Sequence, residues 1–467
     1  MLKTIAIKTF YICVAVLLGI ITLSTNADHH GAETTDDANL KKYWPQWRGP
    51  FATGVAIDAN PPTTWSETEN IKWKVPIPGM GHATPIIWED RIFVQTAIQG
   101  KMPETPPQEN PEVENPPEES RRGRRRGRRN NTPQPNYTFE LLAYDRSNGD
   151  VIWQKTLRET VPHEGMHNTA SFASNSPITD GEHIFAYFGS RGLYCLDMDG
   201  NLIWEKDIGL MRKSGTFGEG SCPIIYGNTI VILQDHEGQS FIVALDKKSG
   251  DELWRIDRDE RTTWTTPIVV EEAGKPQVIV AATNRSRGYD IENGDVIWEC
   301  GGMTRNVVPT PVADNGFVYL ISGFRGAALQ AINLAHAKGD ISYSDEAIAW
   351  QYQADTPYVP SPLLHGDVIY FLSGNRGILS AIDTNTGSVN YGPIRLPNMQ
   401  MVYSSIVAAG DNVYIASRDG NVVVVKHGAD FEIIAENKLD DSFNASPAIV
   451  GSELYLRGSQ NLYCIAE

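Results

Sequence analysis

The sequence is short of cysteine, of positive charge and of long hydrophobic runs. Five cysteines among 467 residues are too few for a disulfide-stabilised scaffold. Asp and Glu outnumber Lys and Arg by 57 to 40, and the net charge of −17 argues against a general nucleic-acid-binding protein. After residue 27, no stretch is apolar enough to span a bilayer. Hydrophobic residues still make up 41 % of the chain, which is enough to form a large core.

Residues 1–27 have the pattern of a secretory signal peptide. Two lysines precede an apolar stretch from Phe10 to Leu23, and Ala27 ends a suitable cleavage site. An uncleaved membrane anchor is the alternative, but the apolar stretch is short and no basic cluster follows it. Cys13 lies inside the stretch and lacks the small neighbours that lipid attachment requires. We therefore expect an exported, soluble and monomeric protein of the periplasm or the medium.

A Ser-Pro or Thr-Pro pair recurs along the chain at intervals of about 44 residues. Short apolar segments follow each pair and are separated by turns rich in Gly, Asp and Asn, which is typical of consecutive strands. The pairs begin at Thr84, Ser176, Thr266, Thr310, Ser361 and Ser446, with degenerate copies at Cys222 and Ser404. Eight such repeats predict an all-β, eight-bladed β-propeller with four-stranded blades. A solenoid of β-arches is the alternative, and four strands per repeat with tight turns favour blades.

The ring is predicted to close through a strand from the N-terminal side. The last repeat ends near Cys464 without a fourth strand, and Ile71–Val75 matches the missing one. Pairing of the two would remove the free sheet edges of a broken ring. Residues 71–467 then form one domain, preceded by an N-terminal segment at 28–70. A tryptophan that is expected to cover the seam between blades recurs on the fourth strand, at Trp153, Trp204, Trp254, Trp298 and Trp350.

Residues 100–137 interrupt the first repeat between its second and third strands. This insertion begins rich in Pro and Glu, ends rich in Arg and has almost no apolar residues, so we expect it to be disordered. One interpretation is an arginine-rich arm for an anionic surface. The interpretation that we prefer is a tolerated loop whose acidic and basic halves neutralise each other.

Two stretches resemble a known family. The pattern D-x-x-x-G-x-x-x-W, at Asp246–Trp254 and Asp290–Trp298, resembles the repeat of the pyrroloquinoline-quinone-type (PQQ-type) β-propeller superfamily. The sequence WPQWRGP at Trp44–Pro50 resembles the start of exported PQQ-like propeller-repeat proteins. The superfamily includes quinoprotein dehydrogenases and the non-enzymatic lipoprotein scaffold of outer-membrane β-barrel assembly. The resemblance therefore implies the fold and leaves the function open between these classes.

The resemblance to quinoprotein dehydrogenases does not extend to their cofactor residues. Those enzymes typically carry an adjacent pair of cysteines over the quinone. Here the cysteines after the first apolar stretch are far apart in sequence and are expected to be packed thiols, at Cys195, Cys222, Cys300 and Cys464. The calcium ligands and the catalytic Asp of those enzymes cannot be matched residue by residue. The sequence thus gives no basis for PQQ binding, and we predict no catalytic residue.

One face of the predicted propeller carries an unusual number of arginines. If the strands of a blade are lettered A to D from the axis outwards, the B–C turns and the D–A connections share one face, here called the loop face. Arginine has no turn-forming role, yet it recurs in or beside the B–C turns at Arg191, Arg285, Arg287, Arg325, Arg376, Arg418 and Arg457. Such a ring could bind anionic groups of a protein, a small molecule or a glycan. The alternative is that each arginine pairs with a neighbouring Asp or Glu.

The D–A connection after the first blade contains the pattern H-E-x-x-H, at His163, Glu164 and His167. In zinc proteases this spacing works on a helix, whereas here a Pro and a Gly place it in a loop, so we do not expect a protease. A looser calcium or zinc site is a candidate on the loop face. The other candidate ligands on that face are Glu219, His236 and Glu237. Hydrogen-bonded loop packing is the alternative interpretation.

These features together predict a non-catalytic binding or scaffold module for an envelope protein or an anionic ligand. The alternative is a quinoprotein-like oxidoreductase or a metal-dependent enzyme that uses the His/Glu cluster. A bound metal or a quinone absorption band would distinguish an enzyme from a scaffold.

Overall fold

Eight antiparallel sheets of four strands follow one another along the chain and form a closed ring of blades. The computed structural model describes residues 40–103 and 134–467. The predicted signal peptide and most of the predicted disordered insertion lie outside these residues. The prediction of an all-β, eight-bladed propeller is confirmed.

The N-terminal segment contributes β1 (Val55–Ala56) and β2 (Ile71–Pro76). Blade 1 contains β3 (Ile86–Trp88), β4 (Arg91–Gln99), β5 (Tyr137–Asp145) and β6 (Val151–Thr160). Blade 2 contains β7 (Ile178–Thr179), β8 (His183–Tyr187), β9 (Leu193–Asp197) and β10 (Leu202–Lys206). Blade 3 contains β11 (Ile224–Tyr226), β12 (Thr229–Gln234), β13 (Ser240–Asp246) and β14 (Glu252–Arg258). Blade 4 contains β15 (Ile268–Glu272), β16 (Lys275–Val280), β17 (Ser286–Asp290) and β18 (Val296–Cys300).

Blade 5 contains β19 (Val312–Asp314), β20 (Phe317–Ser322), β21 (Ala328–Asn333) and, after the short β22 (Gly339–Asp340), β23 (Ile348–Tyr352). Blade 6 contains β24 (Leu363–His365), β25 (Val368–Leu372), β26 (Ile378–Asp383) and β27 (Val389–Arg395). Blade 7 contains β28 (Val407–Ala409), β29 (Asn412–Ala416), β30 (Asn421–Lys426) and β31 (Ile433–Lys438). Blade 8 contains β32 (Ala448–Val450), β33 (Glu453–Arg457) and β34 (Asn461–Ile465), with β2 as its outer strand. Short 3-10 turns lie at Gly189–Arg191, Ser214–Thr216 and Leu334–His336.

The ring closes through β2 and β34, as the sequence predicts. The two strands are antiparallel, with Ile71 opposite Ile465 and Val75 opposite Leu462. Residues from both sides of this closure share one buried apolar cluster with the first and last blades. The sheet edges that an open ring would expose are thereby paired.

A belt of hydrogen bonds at the Ser/Thr-Pro positions joins each blade to the next. At this position, the backbone N–H of the residue in one blade donates to the side-chain oxygen or sulfur of the equivalent residue in the next blade, at 2.9 to 3.1 Å. The order around the ring is Thr84, Ser176, Cys222, Thr266, Thr310, Ser361, Ser405 and Ser446. The hydroxyl of Thr84 then donates to the carbonyl of Ser446 at 3.1 Å. The repeat therefore keeps a small acceptor side chain here, and in blade 7 Ser405 holds the position rather than the predicted Ser404.

The outer-strand tryptophans cover the seams between blades, and all but Trp298 do so through the same contacts. Each ring lies against the turn glycine of the next blade, as Trp73 on Gly149, Trp153 on Gly200, Trp204 on Gly250, Trp254 on Gly294 and Trp350 on Gly387. Each indole N–H also donates to a carbonyl of that turn. Trp298 instead donates to Gln277 of its own blade at 2.8 Å. The cause lies in blade 5, where a longer connection replaces the turn and β22 pairs with the outer strand of blade 4.

The N-terminal segment fills the central channel of the ring. Trp44 exchanges two backbone hydrogen bonds with Ile87 of blade 1, and β1 runs parallel to the inner strand of blade 7. Arg48 is fully buried and donates only to backbone carbonyls, among them those of Thr53 at 2.6 Å and of Pro362 in blade 6. Burial lowers the pKa of Arg48 to about 9. The loop face therefore lies over a channel that the chain itself occupies.

Candidate functional site

The loop face is built by the ends of the two middle strands of each blade and by the D–A connections. The predicted insertion leaves from this face, because β4 ends at Gln99 and β5 begins at Tyr137. Between them, the N–H of Gly100 donates to the carbonyl of Asn136 at 2.7 Å. The first and last residues of the insertion are thus part of the blade.

Three of the seven predicted arginines are paired with carboxylates. Arg191 lies 3.1 Å from Glu219 and also contacts the ring of Phe172. Arg285 donates to both oxygens of Asp340 at 3.0 Å. Arg287 contacts two carboxylates, those of Asp259 at 2.7 Å and Glu299 at 2.9 Å. The alternative interpretation of the arginine ring therefore holds for blades 2 and 4.

The next three arginines have no carboxylate partner in the described part of the chain. The exposed Arg325 packs on the ring of Phe324, which stacks on Tyr358 with centroids 4.6 Å apart. Arg418 lies over the ring of Tyr403 at 5.0 Å. The exposed Arg376 contacts only the hydroxyl of Ser373, at 3.1 Å. We call the set Arg325, Arg376, Arg418, Phe324, Tyr358 and Tyr403 the arginine–aromatic surface.

Hydrogen bonds between loops hold the arginine–aromatic surface together. Asn375, next to Arg376, accepts from the backbone N–H of Val359 at 3.0 Å and of Val402 at 2.9 Å. These two bonds join the B–C turn of blade 6 to the connections on both sides of it. The phenol groups of Tyr358 and Tyr403 are close enough to interact electrostatically. Blades 5, 6 and 7 thus present one continuous surface, whose guanidinium groups have no carboxylate partner among the described residues.

Arg457, the last of the seven arginines, ends strand β33 of blade 8. Its side chain is buried and donates to the carbonyl of Ala83 in blade 1 at 3.1 Å. Burial lowers the pKa of Arg457 to about 9. It has no carboxylate partner among the described residues.

The H-E-x-x-H residues lie in a loop, as the sequence predicts, and each has its own partner. His163 Nε2 is 2.7 Å from the carbonyl of Met211, and His167 Nδ1 is 2.8 Å from the hydroxyl of Thr169. Glu164 accepts from the backbone N–H of Lys213 at 3.0 Å. Burial raises the pKa of Glu164 above its usual value.

The other three metal candidates are also engaged in separate contacts. Burial alone would raise the pKa of Glu219, but Arg191 and the hydrogen bonds from Ser190 outweigh it, so that this pKa is lowered. His236 Nδ1 accepts from the N–H of Gly238 at 3.1 Å, and burial together with the charge of Lys213 lowers the pKa of His236 to about 4. Glu237 accepts from the hydroxyl of Thr262 at 3.0 Å. Within residues 40–103 and 134–467, no three His, Cys, Asp or Glu side chains are grouped so that they could hold a metal ion.

A buried lysine, which the local sequence does not reveal, lies at the centre of this cluster. Lys213 donates to the carbonyls of Asp235 at 2.7 Å and Thr263 at 3.0 Å. Burial lowers the pKa of Lys213 to about 8, although nearby carboxylates oppose the shift. Lys213, Glu164 and Arg191 line a small cleft with a cavity volume of about 10 Å³, which is room for about one water molecule. Perturbed ionisable groups in a cleft are a common feature of binding sites.

The described cysteines do not provide the adjacent pair that the quinoprotein resemblance would require. Cys195, Cys222, Cys300 and Cys464 are free, buried and placed in four different blades. Burial raises the pKa of each thiol, which favours the inert protonated form. These residues therefore do not fit a quinone site of that kind. In the described ranges, no helix has the length and apolarity needed to cross a membrane.

Comparison with known proteins identifies a family by sequence. The family model described as "Outer membrane protein assembly factor BamB" matches residues 138–392, which is more than half of the chain. No curated protein sequence matches the chain.

Solved structures share the fold at low sequence identity. A europium-containing methanol dehydrogenase is 11% identical with a TM-score of 0.62, and the match covers 92% of both chains. The quinohemoprotein alcohol dehydrogenase ADHIIG from Pseudomonas putida HK5 is 11% identical with a TM-score of 0.54, covering 92% of this chain and 80% of that one. BamB from Moraxella catarrhalis is 14% identical with a TM-score of 0.48, covering 69% and 88%. At these identities the likeness concerns the fold alone.

Proposed function

The chain belongs to the family described as outer membrane protein assembly factor BamB, and from this premise we propose that it is an exported, non-catalytic binding module for an envelope protein. The partner would dock on the loop face through the arginine–aromatic surface. The observation that carries this proposal is a contrast among the arginines of the loop face. Those of blades 2 and 4 have carboxylate partners, and those of blades 5 to 7 have none within residues 40–103 and 134–467.

The composition of the arginine–aromatic surface supports protein binding. Tyr, Phe, Met and Arg are enriched in the buried centres of protein interfaces, where Tyr and Arg often dominate the affinity. The exposed Met401 lies beside this surface, and its sulfur is 3.3 Å from a guanidinium nitrogen of Arg418. Unpaired guanidinium groups favour acidic partners and accelerate their association. An acidic segment of a folded envelope protein fits these properties.

Affinity capture with matched variants tests the proposal. The full chain and the variant R325Q/R376Q/R418Q would be compared on solubilised envelope of the source organism. A control, K248Q/K275Q/K338Q, removes three exposed lysines away from the loop face and changes the net charge equally. We expect the wild type and the control to retain the same envelope protein, and the arginine variant to retain at most a tenth as much. Equal retention by all three, or no specific retention by the wild type, would contradict the proposal.

A second candidate function rests on the cleft beside Lys213. The lowered pKa of Lys213 and the raised pKa of Glu164 are the kind of pairing that enzymes use for proton transfer. A metal-dependent or redox enzyme would bind its metal near this cleft. Elemental analysis of the protein purified without chelator tests this alternative. About one Ca or Zn per chain, lost in H163A/H167A, would favour the enzyme, and a metal content that these substitutions leave unchanged would reject it.

A further inference from the structure

The junction of blades 7, 8 and 1 contains a buried cation that no described carboxylate neutralises. Arg457 is 2 % exposed, and among the described residues its guanidinium donates to the carbonyl of Ala83 alone, at 3.1 Å. Its Nε is buried and has no hydrogen-bond partner in the described part of the chain. Asp441, in the connection between blades 7 and 8, accepts from the backbone N–H groups of Ser459 and Asn461. A buried charge without a counter-ion is unfavourable, so an anion placed nearby would be bound with a gain in free energy.

The fold does not need an arginine at this position. The strand register makes Arg457 equivalent to Gln95 of blade 1, because Ala448 faces Tyr455 as Ile86 faces Phe93. Gln95 joins its blade to the next by donating to two carbonyls, without any charge. In five other blades the equivalent residue is apolar, at Leu233, Ala281, Ile321, Leu372 and Ala416. The charge of Arg457 is therefore not explained by the packing between blades.

The neutral imidazole of His82 and the guanidinium of Arg418 lie near the buried charge of Arg457. Gly81 lies directly against the guanidinium, since a Cβ atom there would be 2.0 Å from Nη2 of Arg457. Burial lowers the pKa of the adjacent His82 to about 3, and the positive charges of Arg457 and Arg418 add to this effect. Within the described ranges, the imidazole of His82 has no hydrogen bond and Arg418 has no carboxylate partner. His82 thus lies within electrostatic reach of both Arg457 and Arg418, and no described carboxylate is among the groups that shift its pKa.

We propose that this junction of Arg457, Arg418 and His82 is a carboxylate subsite, which receives one Asp or Glu side chain of a partner's extended acidic segment. The inference rests on the proposed function and adds the type of partner residue, Asp or Glu, that the loop face recognises. Arg418 belongs both to the junction and to the arginine–aromatic surface, so a segment bound on that surface would reach the junction. The carboxylate would accept from Arg418 and His82 and would lie in the field of Arg457 beneath them. Because a carboxylate there would compensate the buried charge of Arg457, this position discriminates acidic from neutral side chains more strongly than the exposed arginines do.

Calorimetric titration with an end-blocked hexaglutamate peptide tests the subsite. We expect R457Q, which installs the residue that blade 1 uses, to weaken the affinity at least tenfold. R457K, which retains the charge, should stay within about threefold of the wild type. R395Q removes an exposed arginine from an outer strand and serves as the charge-matched control with unchanged affinity. Hexaglutamine should bind to none of the proteins.

Chemical protection of the wild type tests the same subsite without any substitution. Bound hexaglutamate should protect His82 from diethyl pyrocarbonate, as read by mass spectrometry, and leave the exposed His336 reactive. Absence of binding by the wild type, unchanged affinity of R457Q, or equal protection of the two histidines would overturn the subsite. Loss of envelope-protein capture in R325Q/R376Q/R418Q alongside normal peptide binding by R457Q would reject the subsite and leave the proposed function standing.

Discussion

At the scale of single residues, the loop face shows which features can be predicted from the sequence and which cannot. The arginines were recognisable, because Arg has no backbone role in a turn and its recurrence needs another cause. Their pairing was not predictable, since Arg285 meets Asp340 from a position 55 residues away and only the fold brings them together. The degenerate Cys222 was identified as a repeat position, and the reason for it is visible only in the hydrogen-bond belt, where its sulfur accepts the N–H of Ser176.

Substitutions at Cys222 test the hydrogen-bond belt. C222S keeps an acceptor of the type that the other blades use, so we expect the free energy of unfolding to change by less than about 1 kcal/mol. C222A leaves the buried N–H of Ser176 without a partner and should cost about 1–3 kcal/mol. Urea unfolding of both variants, followed by tryptophan fluorescence, measures the difference. Equal stability of C222S and C222A would show that the belt contributes nothing measurable.

Strands and turns were predictable where the repeat is regular, and were not predictable in blade 5, which departs from the repeat. In blade 2, turns containing Asp and Gly separate the strands as the repeat predicts. The seam role predicted for the tryptophans is confirmed for Trp153, Trp204, Trp254 and Trp350. Trp298 is also buried in the apolar cluster between blades 4 and 5, but it makes different polar contacts, because a longer connection replaces the neighbouring turn in blade 5. That connection has no counterpart in the repeat, so the repeat could not predict its pairing with blade 4.

Two glycines with the same backbone conformation test the seam contacts. Gly250 (φ +74°) lies under the ring of Trp204, whereas Gly274 (φ +73°) has no side-chain or backbone neighbour where a Cβ would be placed. Both G250A and G274A should cost about 1 kcal/mol for a left-handed alanine. G250A should cost about 1–3 kcal/mol more, because the added methyl group would displace the indole ring. Equal unfolding free energies in urea would contradict the importance of the seam.

At the scale of the whole molecule, the repeat predicts the topology of the ring but not what occupies its central channel. Ring closure followed from counting strands, because eight repeats lacked one strand and Ile71–Val75 supplied it. The filling of the channel by the N-terminal segment could not be predicted, since it depends on contacts such as that of Arg48 with Pro362, more than 300 residues apart. The separation of the loop face into neutralised and unpaired arginines is also a property of the assembled ring.

The stability of the whole ring should fall in mild acid, and His236 supplies one part of the effect. Burial and the charge of Lys213 lower the pKa of His236 to about 4 in the folded chain, below the 6.5 of an exposed histidine. The unfolded chain therefore takes up the proton first, so the contribution is full above pH 6.5 and is lost as the pH falls towards 4. Between pH 7.5 and 5.0 this should cost about 2 kcal/mol, and H236N should remove that part of the pH dependence.

Urea unfolding at the two pH values provides the measurement for His236. H336N, at an exposed histidine on the connection of blade 5, serves as the control. An identical pH dependence in H236N and the wild type would show that His236 is as easily protonated in the folded chain as in the unfolded one.

The most direct test of the account is photo-crosslinking in living cells of the source organism. A photoreactive amino acid at the exposed Gln400, beside Met401, would probe the loop face, and one at the exposed Lys275 would probe the opposite face. We predict a crosslink to one envelope protein from position 400, its loss in the R325Q/R376Q/R418Q background, and no crosslink to that protein from position 275. Crosslinks to the same protein from position 275 alone, or from position 400 irrespective of the three arginines, would contradict the account.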